Sequence, residues 1–456
     1  MSLPEPVYQA VDPATGAAAE RFPHASAAEI EAALRNAHAA FLGWRERAVE
    51  DRAEILRQIS SALLAHASEL AGTMRAEMGK PVPEGIEEVE YCASIFRYYT
   101  EEGPALLSDE HLPASGGRAK VQSRPIGPLL GVMPWNFPCY QVARFAAPNL
   151  LLGNTVLVKP AESVPGTSLA FARILREAGL PDGCCRTVFA THGQIEDIIA
   201  DPRVQGVSLT GSERAGSAVA AAAGRHVKKC VLELGGSDPF VVLDAEDVPG
   251  LAELAWRTRM YNNGQACTSN KRLLVAAGIY DEFVAALVKL AEAVDPETHP
   301  PLASRAVAER VAGQVSDAVS RGARLLAGGR LASDGSARFS PAVLVDVAED
   351  MRAWHEELFG PVAVVYRVRD EDHAVELANS SEYGLGGAVF SADPERAARV
   401  AQRLDVGMVS INAASGDGPG LPFGGIKRSG FGRELGAAGL GEFANKRLVY
   451  EAAADA

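Results

Sequence analysis

The chain has 456 residues, 47% of them hydrophobic and 22% charged, a length and composition that call for more than one folded unit and exclude a disordered protein. A formal net charge of -14 speaks against nucleic acid as a partner, because phosphate binding draws on clustered Lys and Arg. No apolar run approaches the roughly 20 residues of a membrane span, and six scattered cysteines predict reduced thiols, so a cytoplasmic protein with no membrane contact is expected.

In chain order, Ser26 and Glu29 have capping-box spacing, and Ile30, Leu34, Ala37 and Phe41 share one helical face. A second helix is predicted over 50–78, with Ile55, Ile59, Leu63, Leu70 and Met74 as its stripe and Gly79 and Pro81 as stop signals. The pattern then turns to short apolar runs at 129–133, 155–159, 186–189, 207–210 and 229–234, separated by helical stretches at 141–152, 168–178, 194–200 and 213–223. Repeated strand-helix-strand units of this kind predict a doubly wound α/β nucleotide-binding domain. A further α/β set follows from Asp238, with strands at 272–275, 362–366 and 388–390. The segments 332–339 and 413–422 read as surface loops.

Cys267 stands in a polar run, Asn262-Asn263-Gly264-Gln265-Ala266-Cys267-Thr268, where a turn at Gly264 would free backbone N-H groups beside a thiol and so suit it to nucleophilic work. Glu233 ends an apolar strand and runs into Gly235-Gly236, which makes it a candidate general base. Two prolines stiffen the segment that presents Asn136, whose side-chain amide is a candidate oxyanion donor. No G-x-G-x-x-G is present; Lys159-Pro160-Ala161-Glu162 and Thr210-Gly211-Ser212-x-x-x-Gly216 take its place, with the N-H groups of Gly211 and Ser212 as pyrophosphate donors. Gly235-Gly236-Ser237-Asp238-Pro239 lacks the last glycine of a hydrolase nucleophile elbow. The nine histidines show no ligand spacing, and no metal is expected.

Taken together and in this order, Asn136, Lys159, Gly211-Ser212, Glu233-Leu234-Gly235-Gly236, Cys267, Glu357-Leu358-Phe359-Gly360-Pro361 and Pro422-Phe423-Gly424-Gly425 resemble the aldehyde dehydrogenase superfamily over nearly the whole chain. The resemblance implies a Rossmann-like cofactor domain (1–106 and 124–233), an α/β catalytic domain (234–430) and a small β oligomerisation element (107–123 and 431–456) that builds a homodimer or homotetramer. It implies Cys267 as nucleophile, Glu233 as the base for the deacylating water, and Asn136 with the Cys267 N-H as oxyanion hole. Lys159 and Glu162 would hold the adenine ribose, Gly211 and Ser212 the pyrophosphate, and Glu357 and Phe359 the nicotinamide end, with Trp135 and Leu234 lining the cofactor.

Within the superfamily, the run 230–240 and the ending Phe431-Gly432-Arg433-Glu434-Leu435 look most like the shorter bacterial succinate-semialdehyde dehydrogenases. Arg144 matches an arginine that binds the substrate carboxylate in that activity, and a guanidinium offers a bidentate fork for it. Longer relatives have a second arginine where this chain has Tyr261, and a serine where it has the stretch 418–421. Another aliphatic or polar aldehyde remains the alternative substrate. The segment 294–302, with Pro300-Pro301, is read as lying away from the chemistry. Glu162 would repel a 2′-phosphate, which favours NAD and leaves NADP open.

Overall fold

The Ser26 hydroxyl accepts a hydrogen bond from the Glu29 N-H, the Glu29 carboxylate accepts one from the Ser26 N-H, and the helix Ala27–Trp44 follows with Ile30, Leu34, Ala37 and Phe41 buried. The single helix expected over 50–78 is two in the computed structural model, Val49–Ala65 and Ala67–Met78. The backbone leaves helical geometry at His66 (ψ 12°), which turns the second segment onto Pro165–Glu177 while the first lies on Tyr140–Leu152. Gly79 closes the pair in the left-handed conformation that glycine favours (φ 77°). A 20-residue helix, Val82–Glu101, then packs on both; the sequence reading had not singled it out. The structure describes residues 7–295, 297–416 and 418–453; the outer ends of the expected cofactor and oligomerisation units, with residues 296 and 417, lie outside the described residues.

The predicted βαβ units form a six-stranded sheet in the order Gly430–Phe431, Lys229–Glu233, Gly206–Thr210, Pro128–Val132, Thr155–Lys159, Cys185–Thr187. All but the first are parallel. The chain winds away from Pro128–Val132 in both directions, so the sheet has a topological switch point between that strand and Gly206–Thr210. Strand Gly430–Phe431, which the expected boundary after 430 divides between two units, pairs as a whole with Lys229–Glu233 and completes the open edge of this sheet.

A seven-stranded sheet carries the second half of the chain, with Pro239–Val242, Arg272–Ala276, Val362–Val368 and Ala388–Phe390 as fully paired parallel strands. Their continuous apolar runs fit burial on both faces. In a three-stranded antiparallel sheet Gly117–Pro125 pairs with Ala444–Ala452 on one side and Glu110–Leu112 on the other. Its outer strand Ala444–Ala452 is nine residues long and exposes Leu448 and Tyr450. No helix among the described residues is long and apolar enough to cross a membrane.

Candidate active site

Four loops leave the carboxyl ends of adjacent parallel strands in the six-stranded sheet, and each carries residues singled out from sequence: Trp135 and Asn136, Lys159 and Glu162, Gly211 and Ser212, and Leu234. The crevice at a switch point is where open α/β sheets bind ligands. Facing them, Cys267 and the run 357–361 precede Arg272–Ala276 and Val362–Val368, so the seven-stranded sheet offers the amino ends of its strands.

The loop that carries Cys267 is a strained turn. Asn262, Asn263 and Gly264 have φ of 49°, 54° and 72°, and a Cβ on Gly264 would lie 2.4 Å from the Gly360 carbonyl oxygen, so only glycine fits. The Cys267 N-H makes no hydrogen bond among the described residues, as the sequence predicts for this turn. Burial pushes the Cys267 thiol up to about 11, against the opposing pull of Lys271 and Arg144. Lys271 donates to the carbonyls of Ala266 (2.8 Å) and Cys267 (2.5 Å) and pairs with Glu357 at 3.1 Å. Glu357 also accepts from the Gly236 N-H at 3.1 Å.

Asn136 is buried and donates from Nδ2 to the Gln265 carbonyl (2.9 Å), while Asn262 donates to the Asn136 carbonyl (2.9 Å). One N-H of the Asn136 amide holds it against the Cys267 loop, and the second makes no hydrogen bond among the described residues. Two acids of Val82–Glu101, one helical turn apart, brace both loops. Glu84 accepts from the Asn262 N-H (2.8 Å), and Glu88 accepts from the N-H groups of Cys139 and Tyr140 (2.9 Å each) while paired with buried Lys80.

Glu233 is enclosed, and neither carboxylate oxygen has a hydrogen-bond partner among the described residues. Burial raises its pKa well above the ordinary carboxylate range, with Arg144 acting in the opposite sense. Arg144 is fully buried. It pairs with Glu434, reaches Tyr140 Oη (3.3 Å) and Thr210 Oγ1 (3.4 Å), and lies over the Phe423 ring at 4.2 Å. Arg144, expected from the sequence to meet a substrate carboxylate, is engaged by Glu434 in this structure. Glu434 occupies its guanidinium, and the aromatic rings of Tyr140 and Phe423 form the cavity wall in front of it.

That cavity, about 570 Å³, has Cys267 on its lining together with Phe137, Tyr140, Tyr261, Phe423 and Asp238. Asp238 is buried, accepts from the Gly386 N-H (3.0 Å) and is pushed up to about 6 by burial. Gly418 and Leu421 from the loop 413–422 close one side, so this loop is part of the site.

At the cofactor end, Trp135 and Phe359 meet edge to face at 5.6 Å. Lys159 and Glu162 are joined at 2.6 Å, and His192 lies 3.9 Å from Glu162. Burial works to raise the Glu162 pKa, but the Lys159 charge and hydrogen bond outweigh it and hold the carboxyl below its ordinary range. Ser212 caps the helix Glu213–Arg225, and the N-H groups of Ser212, Glu213 and Arg214 make no hydrogen bond among the described residues. The Gly211 N-H is corrected as a pyrophosphate donor, because it is already bonded to the Glu233 carbonyl at 2.9 Å. A Cβ on Gly216 would come within 2.7 Å of Leu234, so the last glycine of that motif lets the helix sit against Leu234.

The aldehyde dehydrogenase family profile matches residues 3–449. The chain belongs to this family. A succinate-semialdehyde dehydrogenase [NADP(+)] of Deinococcus radiodurans is 51% identical over 453 residues, 98% of this chain and 95% of that protein. The succinic semialdehyde dehydrogenase of Streptococcus pyogenes, solved in complex with NADP+, superposes with a TM-score of 0.94 at 37% identity, over 98% of this chain and 100% of that one. The structure of Gox0499 gives a TM-score of 0.95 at 41% identity, covering 97% and 99%. The chain is thus an aldehyde dehydrogenase, an oxidoreductase for small aldehydes.

In this dehydrogenase the sequence reading missed three supports of the site. Arg259 is buried and donates to the carbonyls of Gly264, Leu358, Gly360 and Val362 and to Ser269, tying the nucleophile loop to the run that carries Glu357 and Phe359. The Glu84 and Glu88 braces come from the helix it had not singled out. The segment 294–302 does not lie away from the chemistry: Pro300 accepts from Asn263 Nδ2 (2.8 Å), and His299 Nε2 meets Asn263 Oδ1 at 2.7 Å.

Proposed function

We propose that this aldehyde dehydrogenase oxidises succinate semialdehyde to succinate with NADP+. Support comes from a cavity of about 570 Å³ that has the nucleophile on its lining and suits a short aldehyde, and from relatives named for that reaction. Cys267 Sγ attacks the aldehyde carbon as thiolate. The carbonyl oxygen becomes an oxyanion that takes the free N-H of Asn136 Nδ2 and the Cys267 N-H. The nicotinamide, when bound, supplies the hydride acceptor. The acyl group is then a thioester on Cys267; Glu233 takes a proton from water as that water attacks, the carbon-sulfur bond breaks, and the carboxylate leaves. Arg144 contributes its charge from behind the Tyr140 and Phe423 wall, favouring the thiolate.

The residues fit a nicotinamide dinucleotide. Three free N-H groups at the start of Glu213–Arg225 suit a pyrophosphate, Trp135 and Phe359 flank the nicotinamide end, and Lys159 with Glu162 meets the adenosine end. The NAD preference expected from Glu162 gives way to NADP+, because the similar enzymes named above use NADP+ and Lys159 pairs with the Glu162 carboxylate and offsets its charge. The six-stranded sheet serves the cofactor and the seven-stranded sheet the nucleophile. The exposed edge of Ala444–Ala452 serves assembly into a homo-oligomer, measurable by analytical ultracentrifugation.

The deciding experiment compares kcat/KM for succinate semialdehyde and butyraldehyde with NADP+ and with NAD+. The acid-bearing aldehyde with NADP+ is expected to be the best pair; equal values for the two aldehydes would sink the substrate reading.

A further inference from the structure

The two oxyanion donors of the proposed mechanism come from different sheets. Asn136 follows the strand Pro128–Val132 of the six-stranded sheet, and Cys267 precedes Arg272–Ala276 of the seven-stranded one. A pair of donors works only when both lie within about 3 Å of one oxygen, so the spacing between the two loops has to be fixed.

The helix Val82–Glu101 belongs to neither sheet and touches both loops. Glu84 Oε2 accepts from the Asn262 N-H at 2.8 Å, at a residue held at φ 49°. One turn on, Glu88 Oε1 accepts from the N-H groups of Cys139 and Tyr140 at 2.9 Å each, where the helix Tyr140–Leu152 begins just after Asn136. Between these anchors the loops meet directly: Asn262 donates to the Asn136 carbonyl and Asn136 to the Gln265 carbonyl, both at 2.9 Å. The contacts close a ring that runs from the helix through Asn262 and Asn136 to Tyr140 and back to the helix.

Lys80 adds a second link. It is buried, pairs with Glu88 and lies 3.7 Å from the centre of the Phe137 ring, which stacks on Tyr261 at 5.9 Å. Phe137 follows Asn136 and Tyr261 precedes Asn262, so the ring pair joins the same two loops beside the same two residues. Desolvation offsets most of what a buried ion pair gives to stability, which makes stability a weak reason for this one.

We propose that Lys80, Glu84 and Glu88 are positioning residues, which through their helix set the separation of the Asn136 amide and the Cys267 N-H. This rests on the oxyanion roles given to those two groups. The three side chains are engaged with backbone N-H groups, with one another and with a ring, so they act through the loops and not on the aldehyde.

The test is rapid mixing, reading the rate at which the first reduced cofactor forms on butyraldehyde and on succinate semialdehyde. E84A removes the Asn262 acceptor and is expected to slow this step about 10-fold on both aldehydes, with KM changed less than about 2-fold; E84Q keeps an acceptor and should restore most of the rate. K80M/E88L removes the other anchor without leaving a buried charge unpaired and should lose a similar factor, which K80M/E88Q should recover. Glu84 is half-buried, so E84A decides the matter whether or not the buried double variants fold. Alkylation of Cys267 by iodoacetamide forms no oxyanion and should stay within about 2-fold of wild type in E84A. In an N136A background, with one donor gone, E84A should cost less than about 2-fold. An E84A loss that is undiminished on N136A overturns the proposal, and so does an alkylation rate that falls together with the first hydride step. If N136A slows the first step and neither E84A nor K80M/E88L does, the proposal alone fails. If N136A leaves that step unchanged, the oxyanion roles fail and the proposal with them.

Discussion

The two sides of Cys267 treat charge in opposite ways. Toward the cavity, the lining is aromatic and polar. Toward the interior, charge is concentrated and locked: Arg144 with Glu434, Lys271 with Glu357, and Glu233 enclosed next to them. In the mechanism proposed above the interior side acts on every aldehyde, because its charges address the thiolate, the oxyanion and the water, which all substrates share. The cavity side can act only on what differs between aldehydes. Catalysis and selectivity are thereby separated by one layer of rings, Tyr140 and Phe423.

The sharpest way to break this division is at Glu233. E233Q is expected to keep the first hydride transfer and lose deacylation, so rapid mixing should give a burst of one reduced cofactor per subunit, followed by turnover slowed about 10²- to 10⁴-fold. Loss of the burst together with turnover would place Glu233 before the thioester. Next in size is R144M. It leaves Glu434 buried without its partner, a change that costs about 3–5 kcal/mol, seen as a lowered midpoint in thermal unfolding. Its remaining activity should fall alike on succinate semialdehyde and butyraldehyde. A loss confined to the acid-bearing substrate would return Arg144 to the direct contact expected from sequence.

A third prediction sharpens the interior side. With the Cys267 thiol raised to about 11, the thiolate is the minor form at neutral pH and grows as pH rises. Iodoacetamide should inactivate the free enzyme with a rate that climbs about 10-fold per pH unit between 7 and 9. K271M should slow it further, since Lys271 favours the thiolate. The smallest effect concerns the brace of the nucleophile loop. Burial lowers the His299 pKa to about 4 from the ordinary 6.5, so the unfolded chain takes up the proton first as pH falls. Stability from this neutral imidazole is complete above the unfolded value and is lost between about 6.5 and 4. H299Q should flatten the pH dependence of the unfolding midpoint in that window.

What could be read from sequence was local. The Ser26 cap, the turn at Gly264 and most of the strands from 128 to 233 are each written in a few adjacent residues and stand where they were expected, while the strand expected at 186–189 lies at Cys185–Thr187. The unread parts join distant segments. Arg144 meets Glu434, Arg259 meets the carbonyls around 358–362, and Glu84 meets Asn262; nothing periodic marks such pairs. The single helix predicted over 50–78 failed for a related reason. Its apolar stripe continues past His66, and the break becomes visible only once two different helices claim its two halves.

The strand pairings near the end of the chain bear on how the molecule is made. Gly430–Phe431 finishes the sheet edge at Lys229–Glu233, and Ala444–Ala452 finishes the sheet begun at Gly117–Pro125. Phe443 also offers its carbonyl to buried Asn154. During synthesis those edges stay open until residues 430–452 have left the ribosome, although the helices and inner strands they border have already emerged. Pairings of such long separation are slow to close. The vulnerable interval for aggregation is therefore the time before residues 430–452 emerge, when the enzyme's other strands still present two unfinished sheets to its neighbours.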